Sequence, residues 1–371
     1  MPLPDYQITV INPATGLTNW IYDGAALYDL RYNRALNDIG ALALTLPSRT
    51  EMPSVFSLDS LVEVSRTSPL TGKLQVEDTY LTRLTHRFRE GNEERFVVGA
   101  LSLNHLLARR VIDPADDPLS AGGYSTKAGP ADLVLRAYAR EQIGDLASAG
   151  RSISTFNVGP VLTVGSGVGK RSRYENLFEV FQELAKQGGV DFVVSRIIGN
   201  TFRLTIQPMG GNLTRSVNYP FAPFVMFNPS RANLPNASLL YDRKKEANFC
   251  YALGQGQGDS RILTKLQGAT LYDSILNRIE FAQDIRLAER GQTSQLLTGA
   301  RDALREKQPQ REFTFQPTGN QPGATYRLDF DLGDRVTAAW DTEEVNLRVT
   351  DVELGIDSGG ETISIKLEPV A

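Results

Sequence analysis

The sequence predicts a mainly β fold of the α+β class, with two related β-barrel domains and an α+β segment inserted between them. Two observations carry this prediction. Apolar and polar residues alternate with period two near both ends of the chain, and helical spacing replaces that alternation in the middle. The predicted divisions are 1–103 for the first barrel, 104–238 for the α+β segment, and 239–371 for the second barrel with one helix at 293–307.

The first region alternates in several short runs. Residues 6–10 place apolar side chains at every second position, and residues 42–46 do the same before Pro47 ends the run. Because successive side chains of a strand point to opposite faces, each run indicates a half-buried antiparallel strand. Further strands are predicted at 28–32, 61–66, 79–88 and 95–103. Such a succession is typical of a small barrel or sandwich.

The middle region predicts two helices and a hairpin. Apolar residues at helical spacing follow Pro130, and they recur over 174–187 until a glycine pair ends the pattern. Gly199-Asn200 separates two alternating runs and predicts a hairpin turn between them. Residues 209–236 are rich in Pro, Asn and Gly, which predicts a long surface connection.

The β pattern returns in the third region. Strands are predicted at 247–253, 261–266, 277–285, 336–340, 345–352 and 362–367. The last two form a clear hairpin, because their alternation stops on either side of the turn residues at 357–360.

Composition argues against several functional classes. A net charge of −4 over 371 residues lacks the basic footprint of a nucleic-acid binder and suits a surface past which DNA slides. Cys250 is the only cysteine, so an intrachain disulfide is excluded, and its apolar surroundings indicate a core residue. With His86 and His105 it cannot complete a structural zinc site. The chain has no apolar run of membrane-spanning length and no signal-peptide pattern, which predicts a soluble protein that is not exported.

Two glycine-rich motifs resemble nucleotide-binding loops. Gly254-x-Gly256-x-Gly258 has its third glycine one position too early for a dinucleotide fingerprint, and a strand is predicted after it, so a hairpin tip is favoured. Gly165 to Lys170 resembles a phosphate loop. However, Val164 stands where the motif needs glycine, and Arg171 replaces the Ser or Thr that would bind magnesium.

Acidic motifs suggest two further sites. Asp357-Ser358-Gly359 matches the aspartic-protease tripeptide, but its position between two strands favours a turn. Asp329 and Asp331, with Asp334 nearby, would share a face of a strand and could hold calcium, although a solvated face is the more common arrangement.

The remaining candidates are weaker. His86 and His105 lack the context of a nucleophilic serine or cysteine. The glycosylation acceptors at Asn212 and Asn236 carry no meaning without an export signal. We therefore predict a protein that is not an enzyme, with no catalytic, cofactor-binding or metal-binding residue and no cofactor.

Four stretches, taken together, resemble the tail-hub or baseplate-hub proteins of siphophages, the tail-tip hub family of long-tailed phages. The stretches are 33–47, 103–112, 245–258 and 326–336. They include a Gly-containing loop that leads into a strand closed by Pro47, and the Leu-Gly-Asp segment at 332–334.

The resemblance implies a structural subunit of the virion tail tip, assembled in the host cytoplasm. Three copies would form a ring in which two barrels per chain match the hexameric tail tube, gating the DNA channel. The implied partners are a distal tail protein ring or tail tube protein, the tape-measure protein, and tip, fibre or spike proteins. DNA would pass without specific binding, and the chain would not insert into a membrane. This geometry depends on two separately folded β ends, and a single continuous sheet would remove it and the phage assignment with it.

The alternative is a receptor- or carbohydrate-binding β protein of the tail tip. The chain has 13 tyrosines, which could form stacking platforms for sugars, but their alternation on strands suits a core equally well. A hydrolase with paired carboxylates is the third possibility, and no motif supports it.

Overall fold

The computed structural model describes most of the chain. The described residues are 6–23, 29–120, 122–209, 224–231, 233–234, 236–256, 258–272, 275–285, 293–316, 323–340, 343–357 and 359–369. They divide into two compact units, of which unit 1 comprises 1–237 with 314–371 and unit 2 comprises 238–313. Tyr28, Asn212, Ser358 and most of the predicted connection at 209–236 lie outside the described residues. The three predicted domain ranges stay a prediction.

Strands outnumber helices, so the mainly β, α+β class is confirmed. The strands of the first half are β1 Tyr6–Ile11, β2 Thr18–Asp23, β3 Asp29–Ala35, β4 Ala41–Pro47, β5 Leu61–Thr67, β6 Leu74–Glu90, β7 Glu93–Ser102, β8 Ser125–Pro130, β9 Phe156–Asn157 and β10 Gly167–Ser172. Those of the second half are β11 Val190–Ile198, β12 Thr201–Pro208, β13 Met226–Phe227, β14 Asn236–Asp242, β15 Phe249–Leu253, β16 Leu263–Gln267, β17 Glu280–Asp284, β18 Gln310–Gln316, β19 Arg335–Trp340, β20 Glu343–Asp357 and β21 Gly360–Pro369. The helices are α1 Met52–Val55, α2 His105–Ala108, α3 Ala131–Gln142, α4 Leu177–Gly188 and α5 Thr293–Glu306.

One large sheet dominates unit 1. Nine of its strands follow one another in antiparallel pairs in the order β21-β20-β3-β4-β7-β6-β5-β1-β2, so strands from the two ends of the sequence belong to the same sheet. The junction is the pairing of β20 with β3, in which Ile356 lies opposite Leu30 and Asp351 lies opposite Ala35. No sheet closes into a barrel within the described residues. The prediction of two separate closed barrels is therefore wrong for this part of the chain.

The physical reason for this error is that alternation identifies the buried face of a strand but not its partner. Residues 42–46 alternate as predicted, with Leu42, Leu44 and Leu46 buried. Their neighbours in the sheet are β3 and β7, which are close in sequence. The next pairing, β3 with β20, joins residues that are more than three hundred positions apart, and no local signal specifies it.

The large sheet curls, and one of its faces carries buried apolar side chains. Ile8 of β1, Leu44 of β4 and Ile365 of β21 lie on this face, almost fully buried. Side chains of β5 and β21 meet across the core although these strands occupy distant places in the sheet order. The curl therefore brings the first and last strands of the chain together without a closed ladder of hydrogen bonds.

A layer of helices covers part of the other face of the sheet. α3 and α4 pack with the β11–β12 hairpin around a core that also includes Ile11, Leu61 and Leu81 from the sheet. The predicted helices and the turn at Gly199-Asn200 are confirmed. Because one hydrophobic cluster contains residues of both layers, the α+β layer and the sheet share a single core.

Amide side chains bind the open edge of β11 at this junction. Asn37 accepts from the backbone N–H of Phe192 (2.7 Å), and Asn104 accepts from that of Val194 (2.8 Å). Alternate N–H groups of a strand point to the same side, so the two amides replace the hydrogen bonds of a neighbouring strand. Asn37 has a positive φ of 54°, a conformation that asparagine adopts more readily than most residues.

Unit 2 is a small sheet packed on one helix. Its strands follow the order β16-β15-β17, and α5 covers one face. The core consists of five buried residues: Cys250, Ala252, Leu296, Ala300 and Leu304. Cys250 is therefore a buried core residue, as predicted.

The weaker strand signals were missed. β2, β8 and β10 were not predicted, since their sequences contain glycine, lysine or isolated aromatics in place of clean alternation. Among the described residues, no helix combines the length and apolar character that crossing a membrane requires.

Candidate functional site

The most unusual chemical feature of unit 1 is a buried cluster of charges inside the curled sheet. Arg66 of β5 forms a bidentate ion pair with Glu361 of β21, with Nε to Oε1 at 2.8 Å and Nη2 to Oε2 at 2.9 Å. The two side chains are only 1% and 5% exposed. Tyr6 of β1 donates a short hydrogen bond to the same carboxylate. Three strands are thus held together at one point.

The electrostatics of this cluster keep Arg66 charged and Tyr6 neutral. Burial raises the pKa of Tyr6, and the neighbouring Glu361 carboxylate raises it further. Burial lowers the pKa of Arg66, but its bonds to Glu361 and its proximity to Tyr6 outweigh that effect, so the pKa is raised. A buried ion pair is costly unless its remaining donors and acceptors are satisfied. The Tyr6 hydroxyl also accepts from Arg66 Nε at 3.0 Å, whereas Arg66 Nη1 is buried without a hydrogen-bond partner among the described residues.

A second cluster extends this network toward residues 326–331. Arg34 of β3 contacts the Tyr326 hydroxyl (2.6 Å) and Asp331 Oδ1 (2.9 Å) through Nη1. Arg327 reaches the other oxygen of Asp331 at 2.6 Å, and Tyr326 donates to Glu77 Oε2 at 3.0 Å. The segment is therefore attached to β3 and β6 by charges and hydroxyls in addition to its buried Phe330 and Tyr326 rings.

Asp78 has the most perturbed carboxyl of the network. Burial raises its pKa to about 6, against the opposing attraction of Arg34. It accepts a hydrogen bond from the backbone N–H of Thr79 (2.8 Å). A perturbed carboxyl is a hallmark of active sites, but structural networks shift pKa values as well. No histidine, serine or cysteine is bonded to Asp78 within the described residues, so a structural role is the simpler account.

Two further ion pairs bind the α+β layer to the sheet. Arg196 of β11 contacts Glu63 of β5, with Nε to Oε2 at 3.0 Å, and Asp191 of β11 forms a short contact with Arg348 of β20. β11 is consequently linked to strands from both ends of the chain. Each of the two carboxylates is paired with an arginine, so these ion pairs hold the strands together and do not indicate a catalytic site.

The glycine motifs lie in turns or strands, as the hairpin interpretation predicts. Gly254, Gly256 and Gly258 lie in the connection between β15 and β16. Gly167 to Lys170 belong to β10, with no helix directly after them, and Lys170 forms ion pairs with Glu175 and Glu183. Neither arrangement offers backbone N–H groups at a helix start, which phosphate binding requires.

The acidic motifs are engaged locally. Asp357 and Gly359 lie in the β20–β21 hairpin, where Asp357 Oδ1 accepts from the Gly359 N–H. Asp331 is paired with two arginines, Asp329 accepts from the N–H of Thr325, and Asp334 accepts from that of Asp331. Within the described ranges, no group of three or more His, Cys, Asp or Glu side chains is placed to hold a metal ion.

Histidines and tyrosines complete the candidate residues. His86 stacks on Phe88 with ring centroids 5.3 Å apart, and burial together with Arg109 lowers the pKa of His105. The strand tyrosines that could have formed sugar platforms, such as Tyr32 and Tyr80, are buried in the core. The buried arginines could not be predicted from the sequence, because an arginine at a strand position is usually exposed.

Comparison with protein families gives one match over nearly the whole chain. The model of the Siphovirus ReqiPepy6 Gp37-like protein family matches residues 7–367. No curated protein sequence is significantly similar.

Several solved structures share the fold. The 43 kDa tail protein of prophage MuSo2 from Shewanella oneidensis is 12% identical, with a TM-score of 0.61 and coverage of 98% of both chains. A tail protein from Neisseria meningitidis MC58 is 11% identical, with a TM-score of 0.59 over 98% of this chain and 96% of that one. The prophage tail protein gp18 from Listeria monocytogenes is 10% identical, with a TM-score of 0.53 over 99% and 95%. At these identities the similarity establishes a common fold.

Proposed function

The chain belongs to the Siphovirus ReqiPepy6 Gp37-like protein family, and we propose that it is a non-catalytic hub subunit of a phage tail tip. The resemblance seen in the sequence is thereby confirmed at the level of the family. The two ends of the chain share one sheet, an arrangement expected from the sequence to remove the phage assignment, and that expectation is wrong because the family match stands without two separate barrels. The family match is independent of that geometry.

The observation that carries the proposal is the curled, open sheet that unites the two ends of the chain. An open sheet keeps edge strands that are able to pair with another chain. Three copies arranged around an axis would bring three such sheets together into a ring. Because the two β-rich ends of each chain are united in one sheet, the match to a hexameric tail tube cannot come from two separate barrels per chain, and we propose that strands from both ends of the shared sheet contact the tube.

The proposed domain plan keeps the ranges read from the sequence. Residues 1–103 and 239–371 would supply the two β-rich regions, and 104–238 would form the α+β part. The ion pairs of β11 with Glu63 and Arg348 support this plan, because they attach the α+β layer to strands from both β-rich regions.

The proposed partners are other tail proteins. The ring would contact a distal tail protein ring or tail tube protein above, the tape-measure protein within, and tip, fibre or spike proteins below. It would belong to the virion tail tip after assembly in the host cytoplasm. The net charge of −4 per chain supports passage of DNA through the lumen of the ring without specific binding. A conformational change of the ring would open or close this channel.

Mass measurement tests the hub directly. Native mass spectrometry and light scattering of the purified chain should give three times 40.8 kDa, either alone or on addition of the neighbouring tail protein. A stable monomer under both conditions, with no affinity for a tail ring, would contradict the proposal.

A further inference from the structure

An exposed surface of the α+β layer alternates arginines with tyrosines. The Arg171 guanidinium lies 4.0 Å from the centroid of the Tyr124 ring, and that of Arg173 lies 5.8 Å from the same centroid and 5.2 Å from that of Tyr174. Both arginines are exposed, and Tyr174 is 57% exposed. We call these four residues the Arg–Tyr surface.

The two arginines have no acidic partner. Neither guanidinium takes part in a hydrogen bond or an ion pair with any described residue, whereas the neighbouring cations are paired. Lys127 contacts Asp117 and Glu141 at 2.9 and 2.8 Å, and Lys170 contacts Glu175 and Glu183 at 2.8 and 2.7 Å. In a chain with 43 acidic and 39 basic residues, this local excess of unneutralised charge stands out.

Stacking prepares both side chains for binding. A ring against the face of a guanidinium leaves its N–H edge free, and that edge matches the two oxygens of a carboxylate. The rings also restrict the arginine rotamers, so less conformational entropy is lost when a ligand binds. Arginine and tyrosine are the residue types that dominate binding energy at protein interfaces.

The backbone holds Tyr174 in an unfavourable conformation. Its φ is +55°, which a bulky side chain rarely adopts. The Tyr174 N–H donates to the carbonyl of Ile112 (2.7 Å), and the Ile112 N–H donates to the carbonyl of Glu175 (2.9 Å). Two backbone bonds thus fix a tyrosine whose ring remains largely in solvent, so packing does not explain its position.

We propose that the Arg–Tyr surface binds an acidic segment of another protein of the tail. Charge complementarity selects carboxylates as the ligand, and the small size of the basic area selects a short protein segment over nucleic acid. The choice of a tail protein rests on the proposed hub function, but the binding chemistry does not.

The test uses the full chain and a fluorescein-labelled oligoglutamate peptide as the probe, with anisotropy as the readout. We expect weak binding that declines with salt and falls by about tenfold or more in the double variant Arg171→Gln/Arg173→Gln. Arg203→Gln, which removes an exposed arginine of β12 outside the surface, should leave the affinity unchanged. An oligoglutamine peptide should not bind.

Tyr174→Gly separates binding from folding. Glycine adopts a positive φ without strain, so the melting temperature should change little while the affinity for oligoglutamate falls.

Equal affinity in the wild type and the double arginine variant would overturn the proposal. Tighter binding of a short single-stranded oligothymidylate through the same arginines would overturn it in favour of nucleic acid. The mass of each variant, measured in parallel, reports on the hub proposal separately, because a monomer that still binds oligoglutamate contradicts only the hub.

Discussion

Two ion pairs, one in each compact unit, lie in opposite environments. In unit 1 the Arg66–Glu361 pair lies inside the curled sheet with side chains 1% and 5% exposed. In unit 2 the Arg278–Glu280 pair lies on the surface, with side chains 50% and 41% exposed. The pair in unit 1 joins distant strands, whereas the described strands and helix of unit 2 pack around a hydrophobic cluster of five buried residues. The difference predicts distinct responses to mutation.

The largest effect is expected in unit 1 at Glu361. Glu361→Ala leaves Arg66 charged and buried without its partner, which costs about 3–5 kcal/mol of unfolding free energy. Denaturant unfolding followed by circular dichroism measures this loss. Glu368→Ala is the matched control, because Glu368 pairs with Lys366 on the surface and its removal should cost no more than about 0.5 kcal/mol. Equal costs for both variants would remove the contrast between the environments.

The next effect is expected in the core of unit 2. Leu296→Ala creates a cavity in a cluster of five residues, which costs about 2–4 kcal/mol. Hydrogen exchange should show faster exchange in β15, β16 and β17 while β20 and β21 keep their protection. Leu263→Ala, at a site 48% exposed, should change exchange little. Loss of protection in β20 and β21 as well would show that the units unfold together.

A smaller, pH-dependent effect is expected at Asp78 in unit 1. Burial raises the pKa of this carboxyl to about 6, whereas an aspartate in the unfolded chain has a pKa of about 4. Between those values the folded state binds the extra proton, so the contribution of Asp78 to stability increases as the pH falls through 6 and is lost above it. Asp78→Asn should stabilise the protein by about 1–2 kcal/mol at pH 8.

Thermal unfolding from pH 4 to pH 8 measures the difference between Asp78→Asn and the wild type. The two proteins should converge toward pH 4, where Asp78 is protonated in the folded state. A constant difference across the range would show that Asp78 does not titrate in the fold.

The smallest effect is expected on the surface of unit 2. Glu280→Gln removes the partner of a solvated arginine, which water can hydrate in its place. The unfolding midpoint should therefore not shift measurably in a thermal scan. A clear destabilisation would mean that unit 2 also relies on its charges.

The sequence predicted the elements far better than their arrangement. Strands such as β1 and β4 and the helices α3, α4 and α5 follow from local alternation and spacing, which each segment carries by itself. The β20–β3 pairing and the curl depend on contacts between distant residues, for which a single sequence has no signal.

The candidate sites show the same limit. Asp331 was recognised as part of an acidic group, but its partner Arg34 could not be, because Arg34 comes from a strand almost three hundred residues earlier. Tyr124 was likewise unremarkable in the sequence. Tyr174 directly follows Arg173 in the chain, but only folding brings Tyr124 beside Arg171 and Arg173.

The pairing of β20 with β3 also has a consequence for synthesis. β3 emerges from the ribosome early and lacks this neighbour until residues 351–356 have been translated. Closing so long a loop is slow, and hydrophobic strand edges are exposed in the meantime. The complete sheet can therefore form only after nearly the whole chain has been translated.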